Sequence, residues 1–491
     1  MSTSGSSISR LAVKAMGLFG GSQAVTIFCS IVRTKLVAIW IGANGVGLFG
    51  IFNQALELIN TGTNLGIRQS SVRDISKACG SHDISRVARV VAVVRKWSVW
   101  LGLLGAFLTL AFSPLLSEAT FHDTNHAWHY MLLSVAVLLT TLTNGENAVL
   151  QGTSRLSRLA AVSIWGTSAG LLISIPLFYF LREDSILPSI LAYAASCAVA
   201  AYVLRNKDFS GTKVPRREAF DMGKSFVMLG IFMTVGAFAT TLASNVFIAW
   251  LNNYGGTEQV GYYQAGYTLV NKYTGLILAA LGMEYYPRLA RVAHSQQRLR
   301  VFVTQEVNIT MIVVTPIVAL FILFRNEIIT LLYAPEFTVM VPLVTWGIMG
   351  TIMRTLSWSL AFVILAKGAG GIYLITEALS AAVGLALNIV FYIQWGLLGL
   401  GLSFLAWYVA YTIIVGYVYW RVFRLSLSKG SLVNTLWAIV VALAMIWAMD
   451  SGNTLIAITI AVFSVALSGV MMWKMLGLGR RKLRSGEKSE G

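Results

Sequence analysis

Charged side chains occur inside several otherwise apolar stretches of this sequence. A charge at the centre of a bilayer costs about 2.5–3.5 kcal/mol on insertion scales, so intramembrane charges mark candidate functional sites. Arginine binds phosphate as a bidentate fork and lysine as a point charge, whereas a carboxylate there is a candidate carrier of a coupling ion. Basic residues predominate, which favours an anionic substrate such as a phosphate or a diphosphate. The charged residues inside these stretches are Arg33, Lys35, Lys272, Arg354, Glu57 and Glu377.

Neutral polar residues accompany these charges at helical spacing. In one stretch they stand four, three, four and four positions apart, so they share one face of a helix. That stripe consists of Asn53, Glu57, Asn60, Asn64 and Arg68. Two further stripes comprise Gln23, Thr26, Ser30 and Arg33 in one stretch, and Gln264, Thr268, Asn271 and Lys272 in another. In a lipid-embedded helix such a stripe faces protein or a water-filled cavity.

Two interpretations of these stripes stay open. Polar side chains commonly hydrogen-bond between transmembrane helices, which is a structural role. The stripes occupy corresponding positions of an internal repeat, which is described below, so we favour the second interpretation, a shared cavity. In that cavity the aromatic rings of Tyr263, Tyr267 and Tyr273 would suit sugar rings.

The charges also have structural alternatives. Arg33 and Lys35 lie toward one end of their stretch, from which long side chains can snorkel to the interface. Glu57 and Glu377 are alternatively fixed ion-pair partners, Glu57 of Lys272 for example. Lys35 and Arg68 lie nearer the two membrane faces, where they would steer a headgroup on entry or release.

The elements that must position these residues are helices solvated by lipid. The chain has 491 residues, of which 56% are hydrophobic and 12% charged, and its mean hydropathy is +0.72. Soluble globular proteins carry about 25% charged residues. A soluble fold, a disordered chain and a disulfide scaffold are therefore excluded.

Apolar stretches long enough to cross a bilayer core of about 30 Å recur along the whole chain. Alternating strand patterns are absent, so the sequence predicts an all-α polytopic membrane protein with fourteen spans. With both termini in the cytoplasm, most Lys and Arg residues fall in inner segments, as the positive-inside rule requires. The net charge of +17 is thus topological, and no nucleic acid partner is expected. The predicted spans are 15–40, 46–72, 97–116, 128–150, 159–181, 186–204, 225–251, 259–283, 301–324, 340–366, 371–394, 397–420, 432–449 and 453–473.

An internal repeat divides these spans. Residues 46–50 are echoed by 260–264, and residues 150–152 by 366–368, at a nearly constant offset. Each repeat holds an even number of spans, so we expect two six-helix lobes related by a pseudo-twofold axis along the membrane normal, with a central cavity. The predicted divisions are an N-terminal lobe at 1–222, a C-terminal lobe at 223–424, two additional helices at 425–475 and a basic cytoplasmic tail at 476–491.

No pattern in the sequence indicates catalysis, a metal site or a cofactor. A Ser/His/Asp or Cys/His arrangement is absent. His122, His126 and His129 have helical ligand spacing but no cysteine beside them, so a solvated outer loop is expected instead of a zinc site. We therefore predict a protein that is not an enzyme and that needs neither a cofactor nor a metal.

Several short motifs occur in a characteristic order over most of residues 10–420. They are the turn at 42–50 preceded by Lys35, Leu150-Gln151-Gly152 with Arg155, the segment at 332–337, and Ala366-Lys367-Gly368 followed by Tyr373 and Glu377. In this arrangement the sequence resembles the Wzx-type polysaccharide flippases of the multidrug/oligosaccharidyl-lipid/polysaccharide exporter superfamily. Many members of that family end after twelve spans, whereas this chain has an additional predicted pair.

The resemblance implies a two-lobed helical bundle in the bacterial inner membrane. Such a protein moves an undecaprenyl-diphosphate-linked oligosaccharide, as in O-antigen and lipopolysaccharide assembly, from the cytoplasmic to the periplasmic leaflet. It works by alternating access with ion exchange, and its partners are membrane lipids and other polysaccharide-assembly proteins.

Together these considerations assign three roles to the polar residues inside the spans. The diphosphate is assigned to Arg33, Lys35, Arg68, Lys272 and Arg354. Cavity and sugar contacts are assigned to Gln23, Ser30, Asn53, Asn60, Asn64, Gln264, Tyr267 and Asn271. Ion coupling is assigned to Glu57 and Glu377.

Two alternative functions are weighed against this one. A multidrug or cation antiporter of the same fold should carry an acid-dominated cavity. A membrane glycan polymerase or ligase would be an enzyme and normally needs a large outer loop, whereas the outer loops predicted here are short.

Overall fold

The computed structural model describes residues 4–64, 67–80, 83–209, 214–275, 278, 285, 288–289 and 292–487. These residues are helical throughout apart from short connections, and no strand occurs among them, which confirms the predicted all-α class. The helices are α1 (Ser4–Trp40), α2 (Gly42–Asn64), α3 (Ile67–Gly80), α4 (Ile84–Ala111), α5 (Ser113–Phe121), α6 (Ala127–Gly152), α7 (Leu156–Leu181), α8 (Ile186–Val203), α9 (Arg216–Gly255), α10 (Thr257–Tyr267), α11 (Gln296–Leu323), α12 (Arg325–Leu332), α13 (Val341–Ala366), α14 (Gly370–Tyr417), α15 (Lys429–Asp450) and α16 (Thr454–Glu487). Short 3₁₀ turns lie at Arg182–Ser185, Lys207–Phe209 and Pro335–Met340, and π-helical turns lie at Thr268–Tyr273 and Val418–Val422.

Helix ends follow the local sequence. The Asp83 carboxylate caps α4 by accepting hydrogen bonds from the N–H groups of Ser85 (2.9 Å) and Arg86 (3.1 Å). The Ser85 hydroxyl and the Arg86 N–H together hold the pKa of Asp83 below its usual value. At the other end of α4, α5 begins with Pro114 in its first turn, where the missing N–H costs nothing.

The described helices include candidate membrane spans in eight segments, judged by length and composition. Two of these segments, Leu156–Val203 and Gly370–Val422, have 48 and 53 residues. Each is about twice the length that a single helix needs to cross a bilayer, so each holds more than one crossing helix. The chain is therefore a multi-pass membrane protein, and the count of fourteen spans stays a prediction.

The chain forms two compact units, and each is described here by itself. The first comprises Met1–Gly261 with Leu332–Ala334, and the second comprises Tyr262–Leu331 with Pro335–Gly491. Helix α9 packs on α2, α3, α4 and α5 and so belongs to the first unit. The sequence repeat instead divides the lobes between residues 222 and 223, before most of α9, and that division stays a prediction.

Close contacts between α4 and α6 organise the first unit. A Cβ atom built on Gly145 would lie 2.1 Å from the Ser98 hydroxyl, and one on Gly102 would lie 2.9 Å from Leu138 Cδ1. These glycines let the two helices approach more closely than larger residues would allow. At the end of the same pair, Arg95 forms a bidentate ion pair with Glu146, with N–O distances of 2.6 and 2.9 Å.

Helix α13 lies in the core of the second unit, where Ile348 and Ile352 are fully buried. The buried Arg325 joins three helices here, because its guanidinium donates to Thr345 of α13 (3.0 Å) and to Asp450 at the end of α15 (2.6 Å). Helix α14 is a hairpin rather than a single rod. It reverses at Gly396, whose φ of 57° is a left-handed conformation that glycine adopts without steric cost.

Candidate functional site

In the first unit, Arg33 of α1 is held by two aromatic rings. Its guanidinium carbon lies 4.8 Å from the centroid of Phe49 on α2 and 4.3 Å from the centroid of Tyr193 on α8. Its Nε atom is buried without a hydrogen-bond partner, and no carboxylate of the described residues pairs with it. A cation–π contact uses none of the N–H donors in a conventional hydrogen bond, so the buried Nε–H of Arg33 remains for an oxygen ligand.

Small residues on α7 position the Tyr193 ring. A Cβ atom on Gly170 would lie 2.8 Å from Tyr193 Cδ2, and one on Gly166 would lie 2.9 Å from the Cα atom of Cys197. Helix α8 therefore packs directly on the backbone of α7. This packing fixes the ring that stacks on Arg33.

The other predicted residues of α1 have varied environments. The side chain of Gln23 is exposed, whereas Ser30 and Lys35 are partly buried. Thr34 lies between Arg33 and Lys35, and its hydroxyl donates a hydrogen bond to the Ser30 carbonyl (2.9 Å). The structure thus places Arg33 in a defined contact, and roles for the other three stay predictions.

On α2 the predicted stripe divides by environment. Asn60 is buried, and its Oδ1 accepts a hydrogen bond from Thr141 of α6 (3.1 Å) and another from Asn64 (3.3 Å). Asn53 donates to the carbonyl of its own helix at Phe49 (2.7 Å). Asn60 therefore makes the helix–helix contact that was the structural alternative for such a stripe. Glu57 is exposed, and no ion pair involves it among the described residues.

In the second unit, Arg354 of α13 bonds to the π-helical turn at Thr268–Tyr273. Its Nη1 donates to the carbonyl of Asn271 (2.9 Å) and to the hydroxyl of Thr274 (3.2 Å). Its guanidinium carbon is 5.8 Å from the Tyr408 ring centroid. No carboxylate of the described residues pairs with Arg354, so the alternative of a fixed ion pair with Glu377 is not seen.

Polar atoms without partners lie just before and within the π-helical turn. Gln264 Nε2 on α10 and Asn271 Oδ1 in the turn are buried, and neither has a hydrogen-bond partner. Tyr267 lines a narrow adjoining cavity together with Asn388 and Trp407. Buried polar atoms are normally satisfied, and π-helical turns are frequent at functional sites, so this segment is a candidate for ligand or water contacts.

A row of hydrogen bonds crosses the α14 hairpin. Ser403 donates to Asn388 (2.6 Å), and Trp407 donates to Ser380 (2.9 Å). The third bond of the row runs from the Tyr411 hydroxyl to the Glu377 carboxylate. Glu377 is thus the one carboxylate of this row.

The side chains of three predicted residues lie outside the described part of the structure, namely Arg68, Lys272 and Tyr273. For the histidines of the loop after α5, His126 bonds to Asp123 (3.1 Å), and this hydrogen bond lowers the pKa of Asp123. Among the described residues, no group of three or more His, Cys, Asp or Glu side chains is arranged to hold a metal.

Sequence reasoning missed the aromatic partners of both arginines. Phe49, Tyr193 and Tyr408 stand in apolar stretches, where an aromatic residue is ordinarily part of the core. Tyr411 was missed for the same reason. The sequence offered one signal for these partners, which is that aromatic residues are frequent in stretches that contain no carboxylate to pair with the arginines. This signal does not identify which rings contact which arginine.

The fold has known relatives. A multidrug resistance MATE family transporter of the MOP superfamily, in an inward-facing conformation, aligns with a TM-score of 0.67 and 14% identity over 85% of this chain and 97% of that one. The lipid II flippase MurJ, in an inward closed conformation, gives a TM-score of 0.64 and 11% identity over 94% and 99%. A MOP superfamily transporter from Pyrococcus furiosus gives 0.55 and 15% over 88% and 96%.

Comparison at the level of sequence is more specific. No curated protein sequence matches this chain. A family model described as polysaccharide biosynthesis protein matches residues 45–342, which is more than half of the chain. The family and the superfamily fold that the sequence motifs implied are thereby confirmed. This chain, with the fold of the MOP superfamily transporters, belongs to the polysaccharide biosynthesis protein family.

Proposed function

We propose that this protein is a flippase for an undecaprenyl-diphosphate-linked oligosaccharide. It moves the substrate from the cytoplasmic to the periplasmic leaflet by alternating access, in exchange for an ion. It is a transporter rather than an enzyme, and it works with membrane lipids and other polysaccharide-assembly proteins. Membership of a polysaccharide biosynthesis family and a fold shared with a lipid II flippase support this proposal.

The observation that carries the proposal is a pair of arginines without counter-ions, one in each unit. Arg33 contacts two aromatic rings, and Arg354 is bonded to neutral oxygens. Neither is neutralised by a carboxylate of the described residues, so each keeps its charge available. A diphosphate supplies several anionic oxygens, which guanidinium groups bind with short, charge-assisted hydrogen bonds. The neutral polar side chains and tyrosines near them suit the sugar units.

A multidrug or cation antiporter is the alternative within the same fold, because MATE transporters are among the structural relatives. An uncompensated arginine repels a cationic drug, so the sign of the charge separates the two functions. Among the relatives, the Pyrococcus furiosus transporter is described as having a binding pocket of reverse polarity that suggests a different function. Pocket polarity is accordingly a sensible criterion for this chain as well.

The proposed orientation in the bacterial inner membrane has both termini in the cytoplasm. It rests on the excess of Lys and Arg in alternate connections, which the positive-inside rule assigns to the cytoplasmic side. Reporter fusions after Asp123, Glu258 and Asp450 should therefore read as periplasmic, and fusions after Arg217 and Arg480 as cytoplasmic. A periplasmic reading at Arg480 would contradict the fourteen-span topology.

Transport of the lipid-linked glycan is the direct test of function. In a deletion strain, the undecaprenyl-diphosphate-linked oligosaccharide should accumulate on the inner leaflet, and the intact gene should relieve the accumulation. Full-length protein reconstituted in vesicles should move the same labelled lipid to the opposite leaflet, measured with a membrane-impermeant reagent. A cationic dye and protein-free liposomes serve as controls. Export of the dye without movement of the glycan lipid would overturn the proposal in favour of the antiporter.

A further inference from the structure

The middle of α4 and the C-terminal halves of α6 and α8 in the first unit enclose a groove that the proposed function does not use. Its volume is about 520 Å³, which is within the range of small-molecule sites. Its walls are mainly apolar, with Val99 from α4, Leu139 and Leu142 from α6, and Ala198 and Val199 from α8. Val99 is 43% exposed and Val199 is 62% exposed, so the groove opens on the outer surface of this unit.

A cluster of charges closes one end of this groove. Arg95 is neutralised by its bidentate ion pair with Glu146, and its Nη2 also donates to the Asn206 carbonyl (3.0 Å). Arg205 remains. Its guanidinium carbon lies 4.1 Å from the centroid of the Tyr202 ring, and its Nε is buried without a partner. None of the described hydrogen bonds or ion pairs involves the guanidinium of Arg205.

The charge balance of the groove specifies its ligand. Among the residues that line the groove, Arg95 and Glu146 cancel, so Arg205 leaves one net positive charge at the polar end. Arg158 donates to the Arg205 carbonyl (3.4 Å) but does not line the groove. A phosphodiester carries one negative charge and two free oxygens that a guanidinium fork can bind. From Leu139 to Glu146 the wall extends seven residues along α6, which is about 10 Å and matches part of an acyl chain.

We propose that this groove binds an anionic glycerophospholipid, with its phosphodiester on Arg205 and one acyl chain along the apolar wall. Helices α6 and α8 both end beside the polar end, which the predicted topology assigns to the cytoplasmic side. The lipid therefore belongs to the inner leaflet, where basic pockets between transmembrane helices bind anionic headgroups. A diphosphate carries more negative charge than the groove balances, so the flippase substrate is not the expected occupant.

Lipid titration of the purified full-length protein tests this site. Phosphatidylglycerol and phosphatidylcholine are titrated separately, and bound lipids are counted by native mass spectrometry. Wild-type protein should retain one phosphatidylglycerol more tightly than any phosphatidylcholine. Arg205→Ala should weaken that one binding event about fivefold to tenfold, as expected for loss of one basic contact to a headgroup. Ala198→Phe should abolish it by filling the groove.

A matched control and a third ligand make the outcome decisive. Arg216 is an exposed arginine at the start of α9 that does not line the groove, so Arg216→Ala should bind as wild type. The proposal is wrong if Arg205→Ala binds phosphatidylglycerol as wild type, or if both arginine variants lose the same affinity. It is equally wrong if a short-chain isoprenyl diphosphate displaces the tightly bound phosphatidylglycerol from wild-type protein.

Discussion

Transport of a diphosphate-linked oligosaccharide is expected to fall below detection in Arg33→Glu and in Arg354→Glu. Each reversal places a carboxylate against the phosphates in a medium of low dielectric constant, where like charges repel strongly. Arg→Ala should reduce the rate about tenfold to a hundredfold, as expected for loss of a charge-assisted hydrogen bond. Arg→Lys should retain part of the rate, because lysine keeps the charge but loses the planar fork.

The environments of the two arginines lead to different expectations for their neighbours. Arg33 is oriented by rings, so Tyr193→Leu should reduce transport while Tyr193→Phe should not. Arg354 is oriented by the Asn271 carbonyl and the Thr274 hydroxyl, so Thr274→Val should have a smaller effect than Arg354→Ala. A purely structural role for the arginines would instead lower the amount of folded protein in parallel with transport.

Membrane levels, thermal stability and transport are therefore measured together in each variant. Lys272→Ala belongs in the same series, because the sequence assigns that side chain to the diphosphate. Arg216→Glu is the matched control, since it reverses an exposed arginine outside the proposed site. Full transport by normally accumulating Arg33→Ala and Arg354→Ala proteins would contradict the diphosphate assignment.

Hydropathy predicted the lipid-embedded parts of the fold but not the lengths of the helices. A span was expected at 97–116, whereas α4 begins at Ile84 because Asp83 caps it and its first turns carry Arg86 and Arg89. Charged turns that extend beyond the bilayer have no hydropathy signal. In contrast, the predicted spans at 371–394 and 397–420 leave a break at the position where α14 reverses, which is at Gly396.

The candidate site was predictable only where charge carried the signal. Arg33 and Arg354 were identified because a cation inside an apolar stretch is costly and therefore conspicuous. Their partners are far away in sequence, such as Tyr193 on α8, and their types are ordinary for a core. The π-helical turn at Thr268–Tyr273 was also missed, since no residue type in the sequence marks a single wider turn of a helix. The division of the α2 stripe into Asn60, which is buried, and Glu57, which is exposed, depends on which helices pack nearby.

Ion-driven transport is expected to stop in Glu377→Gln while exchange of substrate across the membrane continues. Glu377 is the carboxylate of the hydrogen-bond row across the α14 hairpin, where it accepts from Tyr411. Glutamine has the same shape and can still accept that hydrogen bond, but it cannot gain or lose a proton. The substitution therefore separates coupling from structure. Uphill transport under an imposed proton or sodium gradient should fall at least about tenfold, which corresponds to about 1.4 kcal/mol.

Two further variants decide whether Glu377 has this role. Ser380→Ala removes the neighbouring bond from Trp407 (2.9 Å) and no ionisable group, so it should lower thermal stability without uncoupling. Tyr411→Phe removes the donor to Glu377 and should impair ion-driven transport more than substrate exchange. If Glu377→Gln transports uphill at the wild-type rate and Glu57→Gln does not, coupling belongs to the exposed carboxylate of α2. Normal uphill transport by both glutamine variants would exclude both carboxylates as the carriers of the coupling ion.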